Sequence, residues 1–237
     1  AIGAYAMSIG NCGTSNTAVG SQAMTDCTGS YNTAVGMQSL FDITSGASNV
    51  ALGALALKLA NGGESDNVAV GVQAMQDFQE NGNTGDYNIA IGTQALLGGT
   101  AGGDVLGNIA IGHHALNSTN TAAVSYVVAI GYNAATALNH SDAGGSVFIG
   151  KDCGLAITQG QYNVMVGQTA GAEETVGDRM TFVGHRAGRR TGGLGNLDNT
   201  FIGWEAGSGD WSSNSSSYNT IVGSNAFYGD CDGANYN

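Results

Sequence analysis

Apolar and polar residues alternate along this chain in a five-residue pattern that returns at intervals of 16 to 21 residues. The pattern runs asparagine, apolar residue or threonine, alanine, apolar residue, glycine, as in Asn16-Thr17-Ala18-Val19-Gly20. We number these positions one to five and continue the count through the residues that follow. The glycine of position five recurs thirteen times in this frame, at Gly3, Gly20, Gly36, Gly53, Gly71, Gly92, Gly112, Gly131, Gly150, Gly167, Gly184, Gly203 and Gly223.

Recurrence at a short interval predicts a solenoid, in which each repeat forms one coil and stacks on its neighbours because it cannot bury its apolar face alone. We predict an all-β fold, a parallel β-solenoid or β-roll of about 13 short coils, cut from a longer fibre. Alternation within the pattern predicts one short strand per coil. Alanine at position eight, as in Ala23 and Ala56, predicts a second strand. Clusters such as Thr28-Gly29-Ser30 predict the turns between strands.

Strand alternation divides the pattern between two faces. We predict that positions two and four, which hold threonine, valine, isoleucine or leucine, face the core of their own coil. Positions one, three and five then form an opposite face of asparagine, alanine and glycine, on which another backbone can come close. Burying that face between copies would contribute about 25 cal/mol per Å² of apolar area, which favours a rotationally symmetric oligomer. Coverage of the same face by loops of its own chain is the alternative.

Residue sizes at positions three and nine change together along the chain. In the first repeats position three is alanine and position nine is large, as in Ala90 with Leu96, whereas later repeats carry the reverse, as in Phe182 with Gly188. A constant summed volume is what close packing requires of two side chains that fill one space, so we predict that these positions meet. The array therefore divides into a section with alanine and leucine or methionine coils, 1–135, and a section with phenylalanine or methionine and glycine coils, 136–237.

Asparagine at position one is either a turn residue before a strand or a member of a hydrogen-bonded amide ladder along the stack. The residue type persists while the preceding loops vary in length, which favours the ladder. The predicted ladder residues are Asn16, Asn32, Asn49, Asn67, Asn88, Asn108, Asn163, Asn199 and Asn219.

Composition and charge narrow the function classes. The chain has 40 glycines and no proline, which suits tight coils because proline would remove a hydrogen bond between strands. Its formal net charge is −12, from 18 acidic and 6 basic residues. This balance argues against nonspecific binding of nucleic acid or of an anionic membrane. No apolar run is long enough to cross a bilayer, so we expect no membrane insertion by this segment.

Two groups of residues are candidate ligand contacts. Tyr132 and Trp204 occupy the variable, exposed position six, and Trp211 and Tyr218 lie in a nearby loop. Exposed rings stack on sugars, so these four predict a sugar-binding ledge, with a set of unrelated surface residues as the alternative.

The second group consists of Arg186, Arg189 and Arg190, which cluster with Arg179 around one repeat. They form either a solvated turn that pairs with Glu173, Glu174 and Asp178, or a contact for an anion or an acidic glycan.

Catalytic and metal-binding motifs are not found in the sequence, and we predict no enzymatic activity, no cofactor and no metal. The adjacent His113 and His114 would point to opposite faces of a strand, which suits one metal ion poorly. Asp230-Cys231-Asp232-Gly233 is similar to the start of a calcium loop but lacks the later ligands, so we predict a turn.

The cysteines have no common spacing. Cys12 and Cys27 lie on successive coils, and both a bridge and a free pair are open. Cys153 stands at the alanine of position eight and is predicted to be a small buried residue.

The repeated element, with its loops of glycine, asparagine, serine and threonine, resembles the head repeats of trimeric autotransporter adhesins. It resembles still more the longer repeats of phage tail-fibre proteins. The resemblance covers essentially the whole chain and implies a homotrimer of parallel β-solenoids, left-handed in the adhesin heads. It also implies an extracellular fibre, on a virion tail or a bacterial surface, that binds a glycan or protein receptor on a cell. The longer period and the phenylalanine or methionine at position three in the second section depart from the adhesin pattern.

Three function classes follow. The first is a structural and receptor-binding fibre segment that mediates attachment to a cell surface. The second is a self-assembling filament or coat without a specific receptor. The third is a polysaccharide depolymerase, which requires a pair of carboxylates in a groove.

Overall fold

The computed structural model describes residues 1–8, 12–60, 63–77, 85–98, 104–117, 124–140, 143–191, 196–211 and 216–229. These residues form a parallel β-solenoid and contain no helix. The predicted all-β solenoid is therefore confirmed.

In the described ranges, twelve strands of three residues, one in each repeat from Asn16 onward, form a single parallel sheet in sequence order. Equivalent positions pair in register, so that Ala90 lies opposite Ala110. The repeat before β1 contributes an isolated bridge from Ile2 to Val19. The strands are β1 (Thr17–Val19), β2 (Thr33–Val35), β3 (Val50–Leu52), β4 (Val68–Val70), β5 (Ile89–Ile91), β6 (Ile109–Ile111), β7 (Val128–Ile130), β8 (Val147–Ile149), β9 (Val164–Val166), β10 (Thr181–Val183), β11 (Thr200–Ile202) and β12 (Thr220–Val222).

The two faces of the strands are the reverse of the predicted ones. The middle residue, position three, is buried in every strand, whereas positions two and four face outward, with Leu52 and Ile91 each 39% exposed. The asparagine amide of position one needs buried partners, and strand alternation then turns position three inward with it. Positions eight and nine also fold over position three, which leaves a narrow interior. The assignment of the apolar positions to the core was wrong for this reason.

The asparagine ladder is confirmed by hydrogen bonds between successive coils. Both the backbone nitrogen and Nδ2 of Asn67 donate to Oδ1 of Asn49, at 3.0 and 3.1 Å, and Nδ2 also donates to the carbonyl of Gly85 at 2.6 Å. This arrangement satisfies the buried amide and explains why the residue type persists. Direct contacts between successive asparagines connect Asn16, Asn32, Asn49, Asn67, Asn88 and Asn108, and they connect Asn199 with Asn219.

Between these two runs the ladder uses other groups. In the coil of β7, which ends at the boundary between the two sections, Val127 occupies position one. Its backbone nitrogen donates to Asn108 Oδ1 at 2.9 Å. Among the described residues Asn163 bonds to no asparagine: its backbone nitrogen donates to Ser146 Oγ at 3.0 Å, and its Oδ1 accepts from the nitrogen of Met180 at 2.8 Å. The predicted bonding between asparagines is therefore wrong at Asn163, because serine and methionine stand at position one in the two adjacent coils.

Positions six to nine form turns rather than the predicted second strand. Positions seven and nine have positive φ, 57° at Gln94 and 44° at Leu96, which excludes the extended conformation. The backbone still bonds from coil to coil, since Gln94 donates to Val72 at 3.0 Å and Leu96 donates to Ala115 at 2.9 Å. At position five φ is 135° for Gly92, where a Cβ would collide with the carbonyl of Gly112, so only glycine fits.

Positions three and nine meet inside the coils of β8, β9, β10 and β11, as the size exchange predicted. A Cβ placed on Gly188 would lie 2.6 Å from Cε2 of Phe182, and one on Gly207 would lie 2.5 Å from Cδ2 of Phe201. The rings of Phe182 and Phe201 stack along the solenoid with centroids 4.9 Å apart. The second section therefore has a column of aromatic rings in the space that the leucine and methionine side chains of position nine share in the first.

The sheet is continuous across the predicted boundary at residue 135. Strand β7 pairs with β8, which places Ala129 opposite Phe148. The junction coil has alanine at both exchanging positions, Ala129 and Ala135, and both are buried. The two sections differ in their interior packing and share one backbone architecture.

Candidate ligand-binding surface

The outward face of the sheet is apolar and uncharged. Positions two and four hold only threonine, valine, isoleucine or leucine in all twelve strands. Six of these side chains away from the end strands are 36 to 40% exposed, namely Val35, Leu52, Ile91, Ile149, Val164 and Ile202. With about 4.8 Å between strands, the face is about 50 Å long. A continuous apolar surface of this size is typical of an interaction site.

The predicted docking face of alanine and glycine is in the interior of the coil. Ala90 and Ala110, for example, have no exposed surface. The argument that this face associates with a copy of itself was therefore wrong. The outward face of positions two and four is the surface whose burial would favour association.

Position six forms two short ledges of stacked rings. The rings of His113 and Tyr132 are nearly parallel, at 6° with centroids 5.2 Å apart, and Lys151 Nζ lies 5.9 Å from the centre of the Tyr132 ring. The rings of His185 and Trp204 are also nearly parallel, at 9° with centroids 6.3 Å apart. Tyr132 is 49% exposed and Trp204 is 47% exposed, so both lie where the sequence predicted.

Trp211 does not belong to this surface. Its side chain is fully buried against the ring of Phe201, at 5.1 Å between centroids, and the ring of Phe227, at 5.9 Å. The prediction of an exposed Trp211 was wrong because the aromatic interior of the second section extends to include this indole. Tyr218 is exposed, but it lies in the column directly before position one rather than beside Trp204.

A column of exposed tyrosines at that position, which we call position zero, was not predicted. Its tyrosines are 46 to 66% exposed and have φ between 58° and 63°, and they are Tyr31, Tyr87, Tyr126, Tyr162 and Tyr218. A bulky residue in this left-handed region is uncommon and strained. The signal was present in the sequence, since tyrosine precedes position one in five repeats.

Two of these rings pack close to the glycine at position zero of the preceding coil. A Cβ on Gly107 would lie 3.1 Å from Cδ1 of Tyr126, and one on Gly145 would lie 2.9 Å from Cδ1 of Tyr162. Glycine at those corners therefore leaves room for the ring of the next coil.

Arg179, Arg186 and Arg189 form ion pairs between neighbouring coils. Arg186 contacts Glu205 at 2.8 Å, and Arg189 contacts Glu173 at 3.2 Å, so the predicted partnership with Glu173 is confirmed. Arg179 makes two hydrogen bonds to Asp198, from Nε at 2.8 Å and from Nη2 at 2.9 Å. This contact raises the pKa of Arg179 and lowers the pKa of Asp198.

The predicted pairing of the arginines with Glu174 and Asp178 was wrong. Oε1 of the buried Glu174 accepts hydrogen bonds from the backbone nitrogens of residues 175, 176 and 177 at 3.0, 3.2 and 2.9 Å, and Oε2 accepts from Asn196 at 3.3 Å. Burial raises the pKa of Glu174. Asp178 accepts from the backbone nitrogen of Gln161 at 2.9 Å. Both carboxylates therefore hold backbone turns in place.

The histidine pair lies in a turn and not on a strand, so its two rings are close together, with centroids 3.8 Å apart. His114 also contacts Gln94 through Nε2, and burial, followed by the charge of His113, lowers the pKa of His114. Within the described ranges, no three histidine, cysteine, aspartate or glutamate residues are grouped so as to hold a metal ion. The Asp230-Cys231-Asp232-Gly233 turn lies outside the described residues.

The thiols of Cys12, Cys27 and Cys153 are free. Burial raises the pKa of Cys27 to about 11 and that of Cys153 to about 12. Cys153 is fully buried, as predicted for a small residue at position eight.

Comparison with known proteins gives no relatives. No protein-family model matches this chain, and no curated protein or solved structure matches it. In the part of the chain that the structure describes, no helix has the length and hydropathy that a membrane span requires.

Proposed function

We propose that this chain is a structural and receptor-binding segment of an extracellular fibre, on a phage tail or a bacterial surface, that attaches to a cell surface without catalysis. The observation that carries the proposal is the single parallel sheet, which runs in register through twelve repeats and presents one uncharged apolar face along its whole length. A rod of this kind suits a shaft better than a compact active site.

We propose further that three copies associate through that face to form a homotrimer. Both the apolar character of the face and its lack of charge support this association. The chain has a net charge of −12, and the outward side chains of the strands carry none of it. Copies that meet there bury valine, leucine and isoleucine without bringing like charges into contact.

A cell-surface glycan or protein is the proposed receptor, and the lateral ring ledges are the proposed contact. Tyr132 and Trp204 present partly exposed rings beside Lys151 and His185, respectively. An aromatic ring with a polar neighbour suits the apolar face and the hydroxyl groups of a sugar. The stack repeats this geometry along one side of the fibre.

Native mass spectrometry tests the assembly. We expect a species of three times 23.7 kDa for the chain. Ile91→Glu combined with Ile149→Glu, on the apolar face, is expected to give a monomer because it places charges at the interface. Met37→Glu combined with Val72→Glu makes the same charge change at position six and is expected to leave the trimer intact.

A monomer of the unchanged chain at micromolar concentration would contradict the trimer. Assembly that grows without limit as concentration rises would favour the filament instead. Attachment is tested separately on a glycan array, where the unchanged chain is expected to bind and Trp204→Ala to bind less. Binding by neither, on glycans or on whole bacterial cells, would contradict the receptor role.

A further inference from the structure

We propose that Arg186, Arg189 and Arg190 form a binding site for the anionic group, sulfate or carboxylate, of an acidic glycan. The inference rests on the proposed attachment function and specifies the class of ligand. The site is a cavity of about 60 Å³ that also has Glu205, Ser208 and Tyr228 in its wall. The volume suffices for about four waters and thus for an anionic group of a few atoms.

Three successive coils build the cavity. The arginines follow strand β10, Glu205 and Ser208 follow β11, and Tyr228 follows β12. Register between the coils therefore brings these side chains together although they span more than forty residues of the chain.

Positive charge is concentrated at this cavity. The whole chain has 6 lysines and arginines, and three of them line the cavity. Glu205 is the one carboxylate among the described wall residues, and Glu173 pairs with Arg189 from outside the wall, so the three arginines keep an excess of one positive charge over these two carboxylates. An acidic chain with a local positive excess favours an anion there.

The arginines differ in how far they are already paired. Arg186 is held by Glu205 at 2.8 Å, and Arg189 reaches Glu173 at 3.2 Å. Among the described residues, the side chain of Arg190 has no ion pair. The Arg190 guanidinium is therefore the group whose N–H donors can bind a ligand. Two of these donors can bond in parallel to the oxygens of a carboxylate or sulfate.

Ser208 gives an independent indication of a ligand. Its side chain is 7% exposed, and its Oγ is buried without a hydrogen-bond partner among the described residues. A buried hydroxyl without a partner is uncommon in proteins and calls for an explanation. An anion oxygen in the cavity would accept from it.

The neighbouring ring ledge indicates that the anion belongs to a sugar. His185 and Trp204 stack in the same two coils, and each precedes a wall residue in sequence, Arg186 and Glu205, respectively. A sugar ring on Trp204 therefore lies beside the cavity that takes its charged substituent. This juxtaposition favours a sulfated or uronic-acid glycan over a free anion.

Binding to four probes tests the inference, measured by titration calorimetry on the unchanged chain. The probes are sodium sulfate, heparin as a sulfated polymer, polygalacturonate as a carboxylated polymer, and neutral dextran. We expect heparin or polygalacturonate to bind, with the stronger of the two identifying the anionic group, and dextran not to bind at this site. Binding of sodium sulfate as tightly as either polymer would overturn the assignment to a glycan.

Arg190→Gln and Ser208→Ala are the test variants. Loss of a charge-assisted hydrogen bond is expected to weaken polymer binding by about tenfold for Arg190→Gln. Arg179→Gln is the matched control, since it removes the same charge from an arginine that Asp198 holds with two hydrogen bonds outside the cavity. We expect it to change binding by less than about twofold, because Arg179 does not line the cavity and salt screens an exposed charge that does not contact the ligand.

Equal weakening by Arg190→Gln and Arg179→Gln would show nonspecific charge attraction and overturn the site. Absence of binding by every anionic probe at millimolar concentration would also overturn it. Circular dichroism and thermal unfolding show that each variant is folded. A chain that forms a trimer and binds neutral glycans, yet binds no anionic probe, would remove this inference and leave the proposed fibre function standing.

Discussion

The two sections of the solenoid place the same volume in opposite positions. In the coil of β5 the strand contributes Ala90 and the turn contributes Leu96, whereas in the coil of β10 the strand contributes Phe182 and the turn contributes Gly188. The backbone at position nine is nearly the same in both, with φ of 44° at Leu96 and 56° at Gly188. Glycine is therefore needed there for space and not for a conformation that other residues cannot adopt. Each coil thus keeps its interior filled, whichever of the two positions carries the large side chain.

Removing the strand's contribution in the second section is the largest expected effect. Phe182→Ala leaves a cavity next to a glycine, which cannot fill it, and is expected to cost about 3–5 kcal/mol of unfolding free energy. Chemical unfolding followed by circular dichroism measures it. A cost below about 1 kcal/mol would mean that the neighbouring coils collapse into the space.

Restoring the first section's arrangement tests the exchange directly. Gly188→Leu alone is expected to cost about 1–3 kcal/mol, because its side chain meets the ring of Phe182. Phe182→Ala with Gly188→Leu is expected to cost less than the sum of the single changes, by about 0.5–3 kcal/mol. Additive costs in this double-mutant cycle would contradict the shared space. Leu96 shows that the backbone of position nine accepts leucine.

The asparagine ladder is interrupted at Val127. Asn67→Val places the same residue at position one in the coil of β4. The change removes the Oδ1 that accepts from Asn88 and the Nδ2 that donates to Gly85, at 2.6 Å. Unsatisfied buried partners are expected to cost about 1–3 kcal/mol. Thr17→Val, at an exposed strand position where other coils carry valine, is the control and is expected to cost less than about 0.5 kcal/mol. Equal losses in unfolding free energy would contradict the ladder's role.

Thiol reactivity is expected to show the smallest difference between the two sections. Among the described residues, each section has one buried cysteine, Cys27 in the first and Cys153 in the second. Burial, with the nearby Cys12 as a second cause, raises the pKa of Cys27 to about 11, and burial raises the pKa of Cys153 to about 12. Because the reactive form is the thiolate, both are expected to be alkylated slowly at pH 8 and faster as pH rises towards these values. Iodoacetamide labelling with peptide mass mapping measures the rates. Rapid labelling of Cys153 in the folded chain at pH 8 would show that the second section is open to solvent.

Much of the architecture follows from local pattern. The recurrent asparagine and glycine predict in-register coils, because each residue type meets its own kind in the next coil. The size exchange between Phe182 and Gly188 predicts their contact, because summed volume is the quantity that packing holds constant. Trp211 was misplaced because its partners, Phe201 and Phe227, are ten and sixteen residues away in sequence and meet it only through the stack.

The repeat, the parallel register, the asparagine ladder and the volume shared by two positions could all be predicted from the amino-acid sequence. These properties depend on the spacing of residue types, which the sequence states directly. Which face of each strand is buried depends on the tertiary structure. Alternation assigns residues to two faces but does not show which of the two lies in the interior. The need of the asparagine amide for buried partners, together with the turn that folds over position three, makes the alanine side the interior. It leaves valine and isoleucine outside and brings the three arginines of the cavity together from one coil with Ser208 of the next.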